Sequence, residues 1–280
     1  MTPETTARRF SRADVVAAIA AFPIGVVAGV TGVGGGEYRA PVLLLLLRNV
    51  RWAIAGNLVA GVIVSIALVV LRGALFQPTD TLVLATTMIA TSVPGAYGGA
   101  LLARRTPTKW LKVFLSGILA ATGLRLLLFE STSPGPFSFG AEQAALALLT
   151  GFAIGVVSGL LGVAGGEYRI PALILIFGLP AIVAGTISSL VAVPQQIAGL
   201  WKHRQLRQAT PQAVRLGAIM GGAGVAGVVV GVALLHRTSD ALVTGFLAVV
   251  MLLAAAQIAW ESQRPDREES LAPERLSPLP

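Results

Sequence analysis

Two stretches of this 280-residue chain are near-copies: GVVAGVTGVGGGEYRAPVL, Gly25 to Leu43, and GVVSGLLGVAGGEYRIPAL, Gly155 to Leu173, at a constant offset of 130 with 13 of 19 positions identical. Chance does not produce such a match, so the fold has to be one supersecondary unit used twice. Each copy also sets Glu, Tyr and Arg directly after a run of glycines.

The apolar segments that follow keep nearly the same offset: Trp52–Leu71 with Ala181–Leu200, Thr81–Ala103 with Pro211–Leu235, and Trp110–Leu128 with Ser239–Trp260. Runs of this length match the about 20 helical residues that cross a hydrocarbon layer about 30 Å thick. The chain is 55% hydrophobic and 12% charged, about half the charged share of a soluble domain. The expected class is therefore an all-α polytopic membrane protein, each half a Gly-rich motif element plus three transmembrane helices. Composition divides it into an N-terminus 1–13, a first repeat 14–130, a Ser/Pro/Gly linker 131–140, a second repeat 141–260 and a solvated, disordered tail 261–280. Arg8, Arg9 and Arg12 before the first apolar run imitate a signal peptide, but that run is long and its distal half recurs inside the chain.

Topology follows from asking whether the motif element crosses the membrane or turns back. If the first limb breaks at 33–40 and Pro41–Leu47 returns, each half has three crossings and the second half is inverted. With the N-terminus in the cytoplasm, sixteen of the 21 Lys and Arg then fall inside: Arg8, Arg9, Arg12, Arg48, Arg51, Arg104, Arg105, Lys109, Lys112, Lys202, Arg204, Arg207, Arg215, Arg264, Arg267 and Arg275. Arg72, Arg125 and Arg237 fall outside, and Arg39 and Arg169 lie in the motifs. The positive-inside rule thus favours re-entrant hairpins in two inverted repeats, with both termini cytoplasmic. The first limbs are long for half-membrane elements, so six spans and two hairpins would read as eight helices by hydropathy.

Several functions are excluded on the way. The net charge of +8 comes from basic residues between apolar runs rather than along one face, so no nucleic-acid partner is expected. There is no Cys, and the two His, His203 and His236, fall in predicted loops, so no metal site or cofactor is expected. No GxxxxGK[ST] pattern occurs, which removes ATP-driven transport.

What remains at membrane depth is Glu37, Arg39, Glu167 and Arg169. Each isolated charge there costs on the order of 3 kcal/mol on insertion scales. One reading is structural: Glu37–Arg39 and Glu167–Arg169 are ion pairs holding unwound segments in place. The other is functional. Gly35 and Gly36, with Gly165 and Gly166, let the helix unwind and backbone approach a ligand, and unwound backbone in a bilayer implies protein or a water-filled cavity around it. Pro41 and Pro171 then stand where half-helices should start, their N-termini pointed at the midplane. With Arg39 and Arg169 they make an anion site, the guanidinium fork suiting sulfonate or carboxylate oxygens. Glu37 and Glu167 either neutralise the arginines or carry a coupling proton. Tyr38 and Tyr168 are either hydrogen-bond donors to the anion or packing residues. Gln195 and Gln196, beside Pro194, either line the cavity or join helices. The glycines at 221, 222, 224, 227 and 231, and at 95, 98 and 99, mark close helix packing, and a homodimer through these third segments is the expected assembly.

The duplicated GxxxGxxGxxGGEYRxP pattern resembles the TauE/SafE family of membrane permeases, the sulfite and organosulfonate exporters, over residues 14–260. The resemblance implies a prokaryotic cytoplasmic-membrane transporter that moves sulfite, sulfoacetate, taurine or related sulfur-containing anions outward. It supports Gly34 to Pro41 and Ala164 to Pro171 as the central motif, while the EYR triplets carry the roles argued above. The expectation is a secondary transporter working by alternating access, its halves rocking about the midplane site; the alternative is an anion channel with an Arg selectivity site.

Overall fold

The structure, a computed structural model, describes residues 11–73, 79–102, 108–128 and 137–263. Among them are ten helices and no strand: α1 (Arg12–Thr31), α2 (Gly36–Leu47), α3 (Val50–Leu71), α4 (Thr79–Leu102), α5 (Thr108–Leu128), α6 (Ala141–Leu161), α7 (Gly166–Leu175), α8 (Ala181–Gln205), α9 (Pro211–Leu235) and α10 (Asp240–Gln263). α6 to α10 repeat the order long, short, long, long, long set by α1 to α5.

Local chemistry explains the boundaries. α1 opens on a capping box, the Ser11 N–H donating to Asp14 Oδ2 at 2.8 Å and the Asp14 N–H to Ser11 Oγ at 3.3 Å. It closes on Gly32 at φ 78°, as α6 closes on Gly162 at φ 68°, a left-handed backbone open to glycine. Asn49 caps α3 through the N–H groups of Arg51 and Trp52, and α9 starts with Pro211 at its first position behind Thr210.

Six helices are long and apolar enough to cross a membrane among the described residues: α1, α3, α6, α8, α9 and Asp240–Trp260 of α10. Two of the six, α1 and α6, are the motif's first limbs. They are full-length helices of 20 and 21 residues, so only the returning limbs α2 and α7, of 12 and 10 residues, are half-elements. Eight long helices plus two short ones is the architecture. The helix α10 runs on to Gln263, three residues into the segment read as tail. The rest of the tail, the loops centred on 76, 106 and 135, and Arg8, Arg9, Arg104, Arg105, Arg264, Arg267 and Arg275 lie outside the described residues.

The two repeats are interwoven. α1 packs on α9 and α4 on α6, so the first long helix of each repeat lies against the fourth-position helix of the other. α3 meets α8 and α5 meets α10, while α2 and α7 lie on α3 and α8. Exchanging the repeats maps this set of neighbours onto itself, which is the mark of a two-fold pseudosymmetry. At the α1–α9 seam a Cβ on Gly29 would stand 2.8 Å from Gly231 Cα, and one on Gly227 would meet the Phe22 carbonyl and stand 2.8 Å from the Val26 nitrogen. At the α4–α6 seam Gly151 faces Met88, Gly155 faces Ser92 and Gly159 faces Ala96. Residue numbers rise together along both seams, so α1 runs parallel to α9 and α4 parallel to α6. These glycines are thus engaged within the chain; Gly98 and Gly222 alone of the glycines singled out in α4 and α9 have nothing within 4 Å of an added Cβ.

Two predicted loop residues are core residues. His203 lies in α8 and is 1% exposed, with Nδ1 2.5 Å from Gln208 Oε1. Arg72 at the end of α3 is fully buried, its Nη2 donating to the Ile182 carbonyl at 3.0 Å. Aliphatic length and a carbonyl-rich helix end allow a terminal Arg to fold inward, which hydropathy does not register. At the opposite end, Arg215 of α9 pairs with buried Asp14 of α1 at 2.5 Å.

Candidate functional site

The motif copies meet at the centre of the molecule. A Cβ on Gly34 would lie 3.1 Å from Ala164 Cβ, one on Gly36 would lie 3.3 Å from the Ala164 nitrogen, and one on Gly166 would lie 2.5 Å from the Val33 carbonyl. Gly34 and Ala164, equivalent positions of the two copies, therefore face one another. Gly34 and Gly35 (φ 81° and 69°) and Gly165 (φ 71°) carry the left-handed turns that end the unwound segments. They place the first turns of α2 and α7 side by side, and their N-termini converge.

The half-helices start at Gly36 and Gly166, capped by Gly35 and Gly165, and not at Pro41 and Pro171. Both prolines lie inside their helices, five residues past the first helical position. Proline there has no N–H for the carbonyl four residues earlier, so the motif frees the carbonyls of Glu37 and Glu167.

Both arginines are buried, Arg39 at 1% and Arg169 at 0% exposure. Arg39 Nη1 donates to the Gly34 carbonyl at 2.6 Å and Nε to Asn57 Oδ1 at 3.3 Å. Arg169 Nη1 donates to the Ser188 carbonyl at 2.9 Å and to Ser188 Oγ at 3.3 Å, and Nη2 to the Ala164 carbonyl at 3.5 Å and to Gln195 Oε1. Gln195 in turn donates to the Ala164 carbonyl at 3.2 Å. Each guanidinium is thus held by neutral acceptors, including the carbonyl five residues before it. Arg39 Nη2 and Arg169 Nε have no hydrogen-bond partner.

The two carboxylates are not equivalent. Glu167 supplies negative charge to both arginines, Arg169 of its own copy and Arg39 of the other. Glu167 is 2% exposed and neither carboxylate oxygen has a hydrogen-bond partner. Glu37, 8% exposed, accepts from the Tyr168 hydroxyl at 3.4 Å. Tyr38 turns outward and donates to the Val250 carbonyl of α10 at 2.6 Å. The two tyrosine hydroxyls are therefore engaged by protein.

Sequence reading passes over three residues that the site needs. Asn57 of α3 donates to the carbonyls of Gly36 at 3.1 Å and Gly162 at 2.9 Å while accepting from Arg39, tying both unwound segments to one side chain. Ser188 holds Arg169, and Ser65 accepts from Gln196 at 2.8 Å. A lone Asn in an apolar span is as expensive as a motif charge is conspicuous, and that expense was the available signal. The unwound segments pack on one another, and Arg39, Arg169 and Glu167 are all buried. An apolar groove of about 230 Å³, lined by Ile66, Val70, Ile89, Leu190 and Pro194 among others, lies between α3, α4 and α8. Thr86 and Thr87 bond only carbonyls of their own helix, and Tyr97 meets Lys202 and Gln205.

A sequence model described as "Sulfite exporter TauE/SafE" matches residues 16–203 and again 146–280. The chain belongs to the TauE/SafE sulfite exporter family. The matches overlap where the second repeat opens and together cover nearly the whole chain. Among curated proteins nothing matches it. As a TauE/SafE protein it is a multi-pass membrane transporter, not an enzyme, and the chemistry the family implies is movement of sulfite and related sulfur anions.

Proposed function

We propose that this chain exports small organosulfonates, such as sulfoacetate or taurine, or sulfite across a prokaryotic cytoplasmic membrane, with both termini in the cytoplasm and its apolar outer surface in lipid. The observation that carries the reading is the pair Arg39 and Arg169, each buried, each held by neutral acceptors, on either side of the point where α2 and α7 begin. A scaffold of neutral acceptors fixes each guanidinium's direction and leaves Arg39 Nη2 and Arg169 Nε as donors for an anion.

Inverted repeats are supported by chain direction. The seven residues between α3 and α4 reach at most about 25 Å, less than the about 33 Å length of α3, so α4 runs back. α6 runs with α4, and α1 and α3 both run with α9. α6 thus opposes α1, its repeat partner. The tight glycine seams join α1 to α9 and α4 to α6, so the moving bodies in alternating access are these interwoven sets, α1–α3–α9 against α4–α6–α8, rather than the two repeats. The α3–α8 contact, where Gln196 reaches Ser65, is the sliding surface between them.

Burial of all three charges favours a carrier over a channel, which needs a continuous path. Proteoliposomes loaded with taurine, sulfoacetate or sulfite test this. A carrier accumulates one of these against its own gradient when a second gradient is imposed; flux that only dissipates the gradient and does not saturate supports the channel.

A further inference from the structure

Four polar atoms at the centre of the molecule lack hydrogen-bond partners although fully buried: Arg39 Nη2, Arg169 Nε and both carboxylate oxygens of Glu167. Two are donors and two are acceptors, and a buried polar atom without a partner is unfavourable in an apolar interior. Formal charge at the motif core, Arg39 and Arg169 against Glu37 and Glu167, sums to zero, so an anion arriving alone gains little. It would also face a carboxylate that only accepts hydrogen bonds.

We propose that anion and proton bind together, the anion taking the free N–H groups of Arg39 and Arg169 and the proton going to Glu167. The step is R–COO⁻ + H⁺ → R–COOH at that side chain, with the proton drawn from solvent and no other bond made or broken. Protonation does three things at once. It leaves the core with a net positive charge, turns Glu167 from acceptor into donor toward the anion's oxygen, and removes the negative charge that occupies the field of the two helix N-termini. All four unpartnered atoms acquire a role in the loaded state.

The two repeats are unequal here, which selects Glu167 over Glu37. Glu37 accepts from Tyr168 and its carbonyl from Gln257, whereas Glu167 lies in the first turn of α7 facing α2, in the field of the Glu37 backbone amide and of both arginines. The titratable groups around it are Glu37, Tyr38 and Arg39 from α2 and Tyr168 and Arg169 from α7. From α3, α8 and α10 the core receives Asn57, Ser188, Gln195 and Gln257, none of which titrates near neutrality.

This inference rests on the anion-site reading, and the test separates the two. Isethionate, whose sulfonate stays ionised, is titrated into purified full-length protein at several pH values in weak buffer with an indicator dye. Above the pH at which empty Glu167 titrates, affinity is expected to fall roughly tenfold per pH unit, with close to one proton taken up per anion bound. Glu167→Gln binds with pH-independent affinity and no proton uptake. Binding of isethionate without pH dependence or proton uptake in the wild-type protein overturns the inference and leaves the anion site standing. Pairing of proton uptake with Glu37 instead also overturns it. No binding at any pH overturns the site and the inference together. Should Glu167→Gln not fold, Glu167→Asp, which keeps a carboxyl on a shorter side chain, is expected to shift the pH at which proton uptake begins, and an unshifted profile overturns the inference.

Discussion

Gln257 Nε2 of α10 donates to the backbone carbonyl of Glu37 at 3.2 Å, and Pro41 cannot supply the intrahelical N–H that would compete for that oxygen. A residue with an N–H at 41 would close the intrahelical bond to Glu37; proline cannot. The two side chains therefore act as one unit, and their substitutions should not add. Gln257→Leu is expected to destabilise by about 1–3 kcal/mol by orphaning a buried carbonyl. In the background Pro41→Ala, the same change should have little effect. Thermal unfolding of the two single variants and the double variant, read as a double-mutant cycle, checks this; additive effects would break the link between Pro41 and Gln257.

Glycine substitutions in α9 should change sign with the face. Gly227→Ala forces a Cβ against the Phe22 carbonyl and Val26 of α1, and backbone cannot retreat as a side-chain tip can, so a loss of about 1–3 kcal/mol is expected. Gly222→Ala meets nothing within 4 Å, and should gain up to about 1 kcal/mol from helix propensity. Paired melting curves in the same detergent give the answer, and equal shifts would refute the seam.

The offset of 130 and the apolar runs made helix count, repeat order and central motif readable from the sequence, because helical length and duplication leave direct traces in a linear chain. Cross-repeat relations left none. Glu37 and Arg39 look like a pair in the sequence, yet Arg39 also lies in the field of Glu167 on α7, a relation between copies that chain order does not display. Pro41 has the composition of a helix start, but Gly35 in the left-handed region already supplies the cap, and the proline serves to free a carbonyl. Asn57, Ser65 and Ser188 were invisible for a third reason: a polar residue in an apolar span announces a partner without saying which.

Sidedness is open to direct measurement because the chain contains no cysteine. Ser138, before α6, and Arg204, in the last turn of α8, are both exposed. Their positions in the proposed topology put Ser138→Cys outside and Arg204→Cys in the cytoplasm. A membrane-impermeant maleimide applied to intact cells should label the first and reach the second only after lysis. Labelling of both from the same side would contradict the inverted arrangement, whatever the transport assay gives.

Replacing either arginine with lysine should weaken sulfonate binding, but not equally in stability. Lys keeps the charge and loses the fork, so each variant is expected to lose roughly 10- to 100-fold in affinity through missing charge-assisted hydrogen bonds. Arg169 is held by Ser188, Gln195 and the Ala164 carbonyl, whereas Arg39 bonds the Gly34 carbonyl and Asn57. Arg169→Lys strands more acceptors, Gln195 Oε1 among them, and should lower the melting temperature further than Arg39→Lys. Isothermal titration with isethionate and melting of the same preparations separate the two effects. Melting losses with unchanged affinity would make the arginines structural struts, and an affinity loss in a variant that melts like the wild type would place the guanidinium on the anion.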